Sequence, residues 1–346
     1  MMVGMSLQFP APLRPGDRIA VTAPSAGVPK DLMPRLDFAA EWLRERGFEV
    51  VLGQCLRAES FVSAGRAERA AELTDMLTDP AVHAVVPPWG GEMATDLLGA
   101  LDWDRISAAR PRWLVGFSDL STLMVPLTLI TGWATLHGLN LLETPYRPVD
   151  GVRHWLDVAG ATEPITQRSP GRYRSGGFDR WQDDPTITDY TLDATGSWSS
   201  LRESLRDGDV DARGVLIGGC IEMLSPLGGS KYADIPAFAR NHAPGGLILY
   251  LEAAEHDAFT IARALHGMRH AGWFDHANAV LIGRPAAPDS PGLSQREAVA
   301  DALGTLDVPV ILDVECGHVP PYLPLVNGAE TRVLMTAGRR EITQRW

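Results

Sequence analysis

The feature that most constrains this chain is an alternation of short β-branched, apolar runs with segments of helical period. Arg18–Ala23 (RIAVTA) reads as a strand; Leu36, Ala39, Ala40 and Leu43 then fall at helical spacing within Leu32–Arg46, and Phe48–Leu52 (FEVVL) reads as the next strand. Arg66–Leu77 is amphipathic, Ala84–Pro87 strand-like, Met93–Leu101 helical and Trp113–Gly116 again strand-like. Strands that alternate with helices of this length pair in parallel, with helices on both faces of the sheet. The expectation is an open, doubly wound Rossmann- or flavodoxin-like domain over residues 1–165.

From Thr162 to Ser200 the pattern stops, and Pro, Gly, Ser, Thr, Asp and Trp dominate without a sustained period. A stretch this long with no period is a domain connection or a functional loop, assigned here to residues 166–205. A second α/β series follows: Gly214–Ile217, Gly246–Leu251, helical Ala258–Ala271, Ala279–Ile282, helical Gln295–Leu303 and Val310–Asp313, with Thr331–Met335 and Glu341–Gln344 closing as antiparallel strands. Residues 206–346 are thus expected to form a smaller C-terminal α/β domain. The 346 residues suit two domains, at about 150 residues each, and the cleft between two domains is a common ligand site.

Composition narrows the partners. The formal net charge of −12 argues against a nucleic-acid polymer or an anionic membrane, because either needs a basic face. Cys55, Cys220 and Cys316 are widely spaced and form no CxxC pair, which excludes a disulfide scaffold and a thiolate zinc site and fits a reducing cytoplasm. Met1–Leu13 has no Lys or Arg, so no signal peptide is expected. Leu120–Leu142 carries no formal charge, but the Thr131-Gly132 break divides it into a helix and a following strand, as in a buried α/β segment and not a membrane span.

The sharpest chemical signal is Trp113-Leu-Val-Gly-Phe-Ser-Asp-Leu-Ser-Thr122. An apolar strand ends in Gly116, a tight turn carries Ser118, and a helix follows at once. Such a turn exposes a hydroxyl and aims helix-start amides at a substrate. The segment lacks the full G-x-S-x-G, and Ser118 or Asp119 could equally serve as a helix cap. A serine nucleophile needs a base and an orienting acid. His318 sits in Cys316-Gly-His-Val-Pro-Pro321 after a predicted strand, a rigid loop suited to a catalytic side chain, or a loop histidine with no task. Glu252 closes the buried run Gly246–Glu252, where a charge needs a partner or a helix dipole; Glu255 is its competitor. Val85-Val-Pro-Pro-Trp-Gly-Gly-Glu92 offers backbone amides for an oxyanion or, on the same description, for a phosphate. His266 and His270 lie at i, i+4, but no carboxylate or Cys cluster accompanies them, so no metal and no other cofactor is expected.

Together these pieces resemble the LD-carboxypeptidase family of serine peptidases, which includes the microcin C immunity peptidases. The resemblance runs through Arg14–Ser25, Gly90-Gly91, Gly116-Phe-Ser-Asp119, Gly218-Gly219, Leu249-Tyr-Leu-Glu252, Gly317-His318, Pro324 and Asn327-Gly328. It implies Ser118 as nucleophile, His318 as base, Glu252 as its orienting acid, and an oxyanion hole from the amides of Gly91 and Asp119. It also implies a homodimer. The Gly90-Gly-Glu-Met93 loop and the Trp-bearing connection resemble the immunity branch. Within that branch Trp181 is expected to stack on the nucleotide part of a substrate and Trp198 to pack on the C-terminal domain. Gly90, Glu92 and Cys220 complete the expected substrate contacts. Cys220 stands where the family usually has Asn and lacks the amide's paired donor and acceptor. The reading is then a serine carboxypeptidase acting on a small peptide or an aminoacyl- or peptidyl-nucleotide. Cleavage of murein tetrapeptide is the alternative, and a non-catalytic small-ligand binder the alternative of another class.

Overall fold

The computed structural model describes residues 6–58, 60–201 and 209–346. The first strands are β1 (Arg18–Val21), β2 (Glu49–Leu52), β3 (Val82–Val85), β4 (Trp113–Gly116), β5 (Thr135–His137), β6 (Ile165–Arg168), β7 (Arg172–Tyr173) and β8 (Ala194–Thr195). There follow β9 (Ser199–Ser200), β10 (Val210–Cys220), β11 (Leu247–Glu252), β12 (Ala277–Gly283), β13 (Val310–Val314), β14 (Leu325–Asn327), β15 (Glu330–Met335) and β16 (Arg340–Arg345).

One sheet has the order β14-β5-β4-β3-β1-β2. All its pairs are parallel except β14 with β5. Alternate residues of one strand serve opposite cores: Ile19 and Val21 pack with Leu36 and Leu43 of the helix Met33–Arg44, whereas Ala20 packs with Leu73 and Leu77 of the helix Arg66–Thr78. Both faces are therefore covered by helices, which makes this half doubly wound. Fully burying each such Leu or Ile contributes roughly 1.5–3 kcal/mol. The parallel strands run in the order 2-1-3-4-5, so the winding reverses between β1 and β3. Crevices at the carboxyl ends of strands beside such a reversal bind ligands in open α/β sheets.

The other sheet has the order β6-β16-β15-β10-β11-β12-β13-β9. Its centre, β10 to β13, is parallel and its flanks are antiparallel. The uncharged Leu120–Leu142 segment is a helix, Ser121–Thr131, ended by Gly132 at φ 74°, followed by β5. The helix is apolar nearly all round because it is wedged between the halves, with Leu123, Met124 and Leu127 in one core with Ile217, Ile221 and Leu224. Among the described residues no helix is long and apolar enough to cross a membrane.

Three departures from the sequence reading matter. Met93–Leu101 is not a helix but a single 3-10 turn over Ala94–Leu97, tied at its start by side chains from other loops. The aperiodic connection is not wholly irregular: it supplies β6 and β9 at opposite edges of the second sheet and the β7–β8 pair. These strands are too short for a period to register. Finally, β14 lies in the second half of the chain yet completes the first sheet, held by its pairing with β5 and by Asn327 Nδ2 donating to Thr135 Oγ1 at 3.0 Å.

Candidate active site

The carboxyl ends of β1, β3 and β4 gather at one place. After β4, Ser118 adopts φ 66°; Ser118 and Asp313 are the two non-glycine residues with positive φ among those described. The left-handed conformation costs an L-residue roughly 1–2 kcal/mol and persists where the surroundings impose it. Here a 3-10 turn, Ser118–Leu120, runs straight into the helix Ser121–Thr131, so chain reversal is compressed into one residue. Ser118 is partly exposed between the buried Phe117 and Asp119. The loop after β3 lies against it: a Cβ on Gly90 would fall 2.9 Å from Ser118 Oγ and 3.2 Å from the Asp119 amide nitrogen. Only glycine allows that approach. Gly91 follows at φ 141°, and Glu92 is exposed. Burial, then the negative charges of Glu255, Asp119 and Glu222, push the Glu92 carboxyl up despite His256.

The second sheet positions Glu252 and His318. Glu252 ends β11 fully buried, and its Oε2 lies 2.9 Å from His318 Nδ1. Two glycines make its slot: a Cβ on Gly283 would meet Glu252 Cβ at 2.7 Å, and one on Gly317 would meet Glu252 Cδ at 2.6 Å. The other oxygen, Oε1, is buried and has no hydrogen-bond partner among the described residues. Glu255 is exposed, and its backbone N–H donates to Glu222 Oε1 at 3.0 Å. Burial by itself pushes the His318 imidazole down. The charge and hydrogen bond of Glu252, helped by Glu222 and Glu143, outweigh it, and the net shift is upward from the ordinary histidine value.

The two halves meet here. The Phe117 ring centroid lies 5.0 Å from that of His318, and Cys220 N–H donates to Ser121 Oγ at 3.1 Å. Ser118 Oγ makes no hydrogen bond among the described residues, and the turn that carries it reaches His318 through the Phe117 ring. Below them His137 is buried against Tyr250, with ring centroids 5.0 Å apart. Burial, then the neighbouring His318, pushes His137 down to about 3, so it is neutral.

The remaining expected contacts divide. Gly90 and Asp119 lie against Ser118, Gly91 packs on Ser25 and Ala26, and Glu92 is exposed on the same loop. Cys220 offers no exposed surface: it is buried, and its thiol donates to Glu222 Oε2 at 3.1 Å. Glu222 in turn accepts the amides of Ala254, Glu255 and His256, which makes it the anchor of the turn after Glu252. Trp181 is also not an open stacking face. It is buried, its Nε1 donates to Tyr146 Oη at 3.0 Å, and the Arg35 guanidinium sits 5.1 Å from its ring centroid. The exposed aromatic of the same connection is Phe178, 47% exposed. Four residues earlier, Arg174 N–H donates to Pro320 O at 3.0 Å, which ties this loop to the His318 turn. Trp198 packs within the second half, donating to Glu315 Oε2 at 2.6 Å. Sequence reasoning missed Ser25, Glu222 and Glu143; the Pro24-Ser25 end of a strand at a winding reversal was the available signal for Ser25. Among the described residues no three His, Cys, Asp or Glu side chains gather to hold a metal.

Two family models match the two halves of the chain. The LD-carboxypeptidase N-terminal domain matches residues 19–138 and the LD-carboxypeptidase C-terminal domain matches residues 213–333. The chain belongs to the LD-carboxypeptidase family. Membership makes it a serine-type carboxypeptidase. A Streptomyces coelicolor relative named as a carboxypeptidase is 32% identical, over 94% of each chain. The microcin C7 self-immunity protein MccF of Escherichia coli is 24% identical over 100% of this chain and 98% of its own. The murein tetrapeptide carboxypeptidase of Pseudomonas aeruginosa is 26% identical over 91% of this chain and 89% of its own. The solved structure of MccF with glutamyl sulfamoyl guanosine shares the two-domain α/β fold, with a TM-score of 0.81 at 22% identity, covering 97% of this chain and 98% of that one.

Proposed function

We propose that this carboxypeptidase hydrolyses a terminal amide bond of a small peptide or of an aminoacyl- or peptidyl-nucleotide through Ser118, His318 and Glu252. The observation that carries the reading is the 2.9 Å His318–Glu252 contact, buried, with His318 against Phe117 of the turn that holds Ser118 in left-handed conformation at a strand end. Ser118 Oγ bonds to the carbonyl carbon while its proton passes to His318 Nε2. The amide C–N bond then breaks, and that proton leaves with the amine. Water repeats the sequence on the acyl-enzyme, releasing the acid and restoring Ser118. The amides of Gly91 and Asp119 hold the oxyanion. Substrate binding closes the Ser118–His318 hydrogen bond, since catalytic contacts commonly tighten only in the complex.

Two named relatives frame the substrate. Structures of MccF contain aspartyl sulfamoyl adenosine and glutamyl sulfamoyl guanosine, and another relative is named for murein tetrapeptide. The nucleotide reading leads, because the MccF match spans this entire chain. Phe178, and not the enclosed Trp181, offers the planar surface for such a substrate. The domain assignment 1–165, 166–205 and 206–346, a homodimer and a cytoplasmic address belong to the same reading; sedimentation of the purified chain tests the dimer. The substrate test is incubation with murein tetrapeptide and, separately, aspartyl sulfamoyl adenosine, followed by mass spectrometry. Release of the sulfamoyl nucleoside supports the leading reading, release of D-Ala the murein one. Turnover of neither, with no fluorophosphonate label on Ser118, would leave a ligand-binding protein.

A further inference from the structure

The loop after β1 makes contacts that the triad does not explain. Ser25 and Asp119 are both fully buried, although neither is apolar and neither lies in a sheet. Ser25 Oγ donates to Asp119 Oδ2 at 2.5 Å and accepts the Met93 N–H at 3.2 Å. The same Oδ2 accepts the Ala94 N–H at 2.8 Å, and Oδ1 accepts from Thr122 Oγ1 at 3.2 Å. The Asp119 carboxylate thus joins three segments: the nucleophile turn that carries it, the Pro24–Ala26 loop, and the Gly90–Ala94 loop. The third of these is held on its other side as well. Ala26 N–H donates to Gly90 O at 3.3 Å, and Trp89 Nε1 donates to Ala26 O at 3.0 Å. A Cβ on Gly91 would land 2.7 Å from the Ala26 nitrogen, so the loops are in contact at the glycine itself.

We propose that the Asp119 side chain and the Ser25 hydroxyl form a buried clamp that fixes the Gly91 amide relative to the Ser118–Asp119 turn, making both of them positioning residues for the oxyanion hole. This rests on the proposed role of Ser118. An oxyanion hole acts only when its donors are already aimed at the charge that develops in the transition state. One donor rides on the nucleophile turn and the other on a separate loop, so their separation depends on whatever ties the two together. The charged acceptor makes that tie strong, because hydrogen bonds to an ionised group are worth about twice a neutral one. Both partners are shut off from water, which neither screens the bonds nor competes for them.

The clamp predicts a loss confined to the chemical step. Removing an oxyanion donor outright costs about 10²–10³ in rate, so loosening one should cost about 10–10² in the Ser25→Ala variant. The reading uses fluorophosphonate labelling of Ser118, in which Oγ displaces fluoride from phosphorus, His318 takes the proton, and the phosphonyl oxygen occupies the oxyanion position. Ser25→Ala should slow the maximal labelling rate by that factor, with the half-saturating probe concentration within about threefold of wild type. Asp119→Asn, which retains an oxygen acceptor for Ser25 and Ala94, should lose less than Ser25→Ala. Wild-type labelling rates in Ser25→Ala alongside a lowered Tm would overturn the clamp, leaving Ser25 a purely structural residue. So would a rise in the half-saturating concentration with the maximal rate unchanged. Failure of the underlying reading looks different: the wild-type protein itself would not be labelled at Ser118, in which case no variant needs to be compared.

Discussion

Replacing Glu252 by Gln probes the site at its most constrained point. The carboxylate is fully buried, one oxygen lies on His318 Nδ1, and the other has no partner among the described residues. Glutamine fills the same slot between Gly283 and Gly317, and its amide oxygen can still accept from Nδ1. The negative charge that stabilises the imidazolium is lost. The corresponding amide replacement in the serine-protease template costs about 10⁴ in kcat. A loss of about two to four orders of magnitude is expected, or roughly 3–5 kcal/mol at 1.36 kcal/mol per decade, with KM little changed. The pH profile carries a second signature. The base works only when neutral, so kcat/KM rises with pH through the His318 pKa, which Glu252 holds above the ordinary value. In Glu252→Gln burial acts with that support removed, and the rising limb should move to lower pH. Hydrolysis of whichever of the two substrates is turned over, measured from about pH 5 to 9, reports both effects. Glu255, exposed and bonded to Glu222 through its backbone N–H, should tolerate Gln within about threefold. Equal losses in the two variants, or a limb that stays in place, would refute the assignment of the acid.

Ser118→Ala should abolish turnover, by about 10⁴-fold or more in kcat, while circular dichroism and Tm stay near wild type; retention of a few per cent of activity would remove Ser118 as nucleophile. Ser118→Gly should be equally inactive but more stable than Ser118→Ala by about 1 kcal/mol in urea unfolding, because glycine adopts φ 66° without strain. Dialysis against EDTA should leave activity unchanged, and a loss restored by zinc would overturn the serine mechanism. Glu143 gives a test through stability: burial, against its own backbone amide, Arg35 and His318, pushes its carboxyl up to about 7. The unfolded chain ionises this group first, so the protonated form stabilises the fold fully below about pH 4.5, and that contribution is lost as pH rises to about 7. Glu143→Gln should therefore match wild type near pH 4 and exceed it by about 3 kcal/mol near pH 8; equal stabilities at both would show that the carboxyl is not desolvated.

Much of this architecture is legible before folding because it is local. The short apolar, β-branched runs of the strands, the helical spacing of Leu36, Ala39, Ala40 and Leu43, and the strand-turn-helix around Ser118 are written within a dozen residues each. Glu252 could be singled out because a charge at the end of a buried run needs a partner nearby. What a side chain finds across the fold is different. Trp181 and Cys220 read as substrate contacts, yet the Arg35 guanidinium, from a distant part of the sequence, covers the Trp181 ring, and the Ser121 hydroxyl from the first half accepts the amide of the buried Cys220. Glu222 and Ser25 show no motif of their own, since their roles consist of the amides and carboxylate that other segments bring to them.

The sequence alone determined two series of strands and helices, a glycine-flanked serine turn, and a histidine and a carboxylate placed at strand ends. Tertiary structure decided which carboxylate meets the histidine, that Leu325–Asn327 crosses back to the first sheet, and that three loops from separate strands are tied at Asp119. The reason is physical: local patterns fix backbone conformation and burial over a few residues, whereas strand partners and buried hydrogen bonds depend on groups that only a completed fold brings within 3 Å of one another.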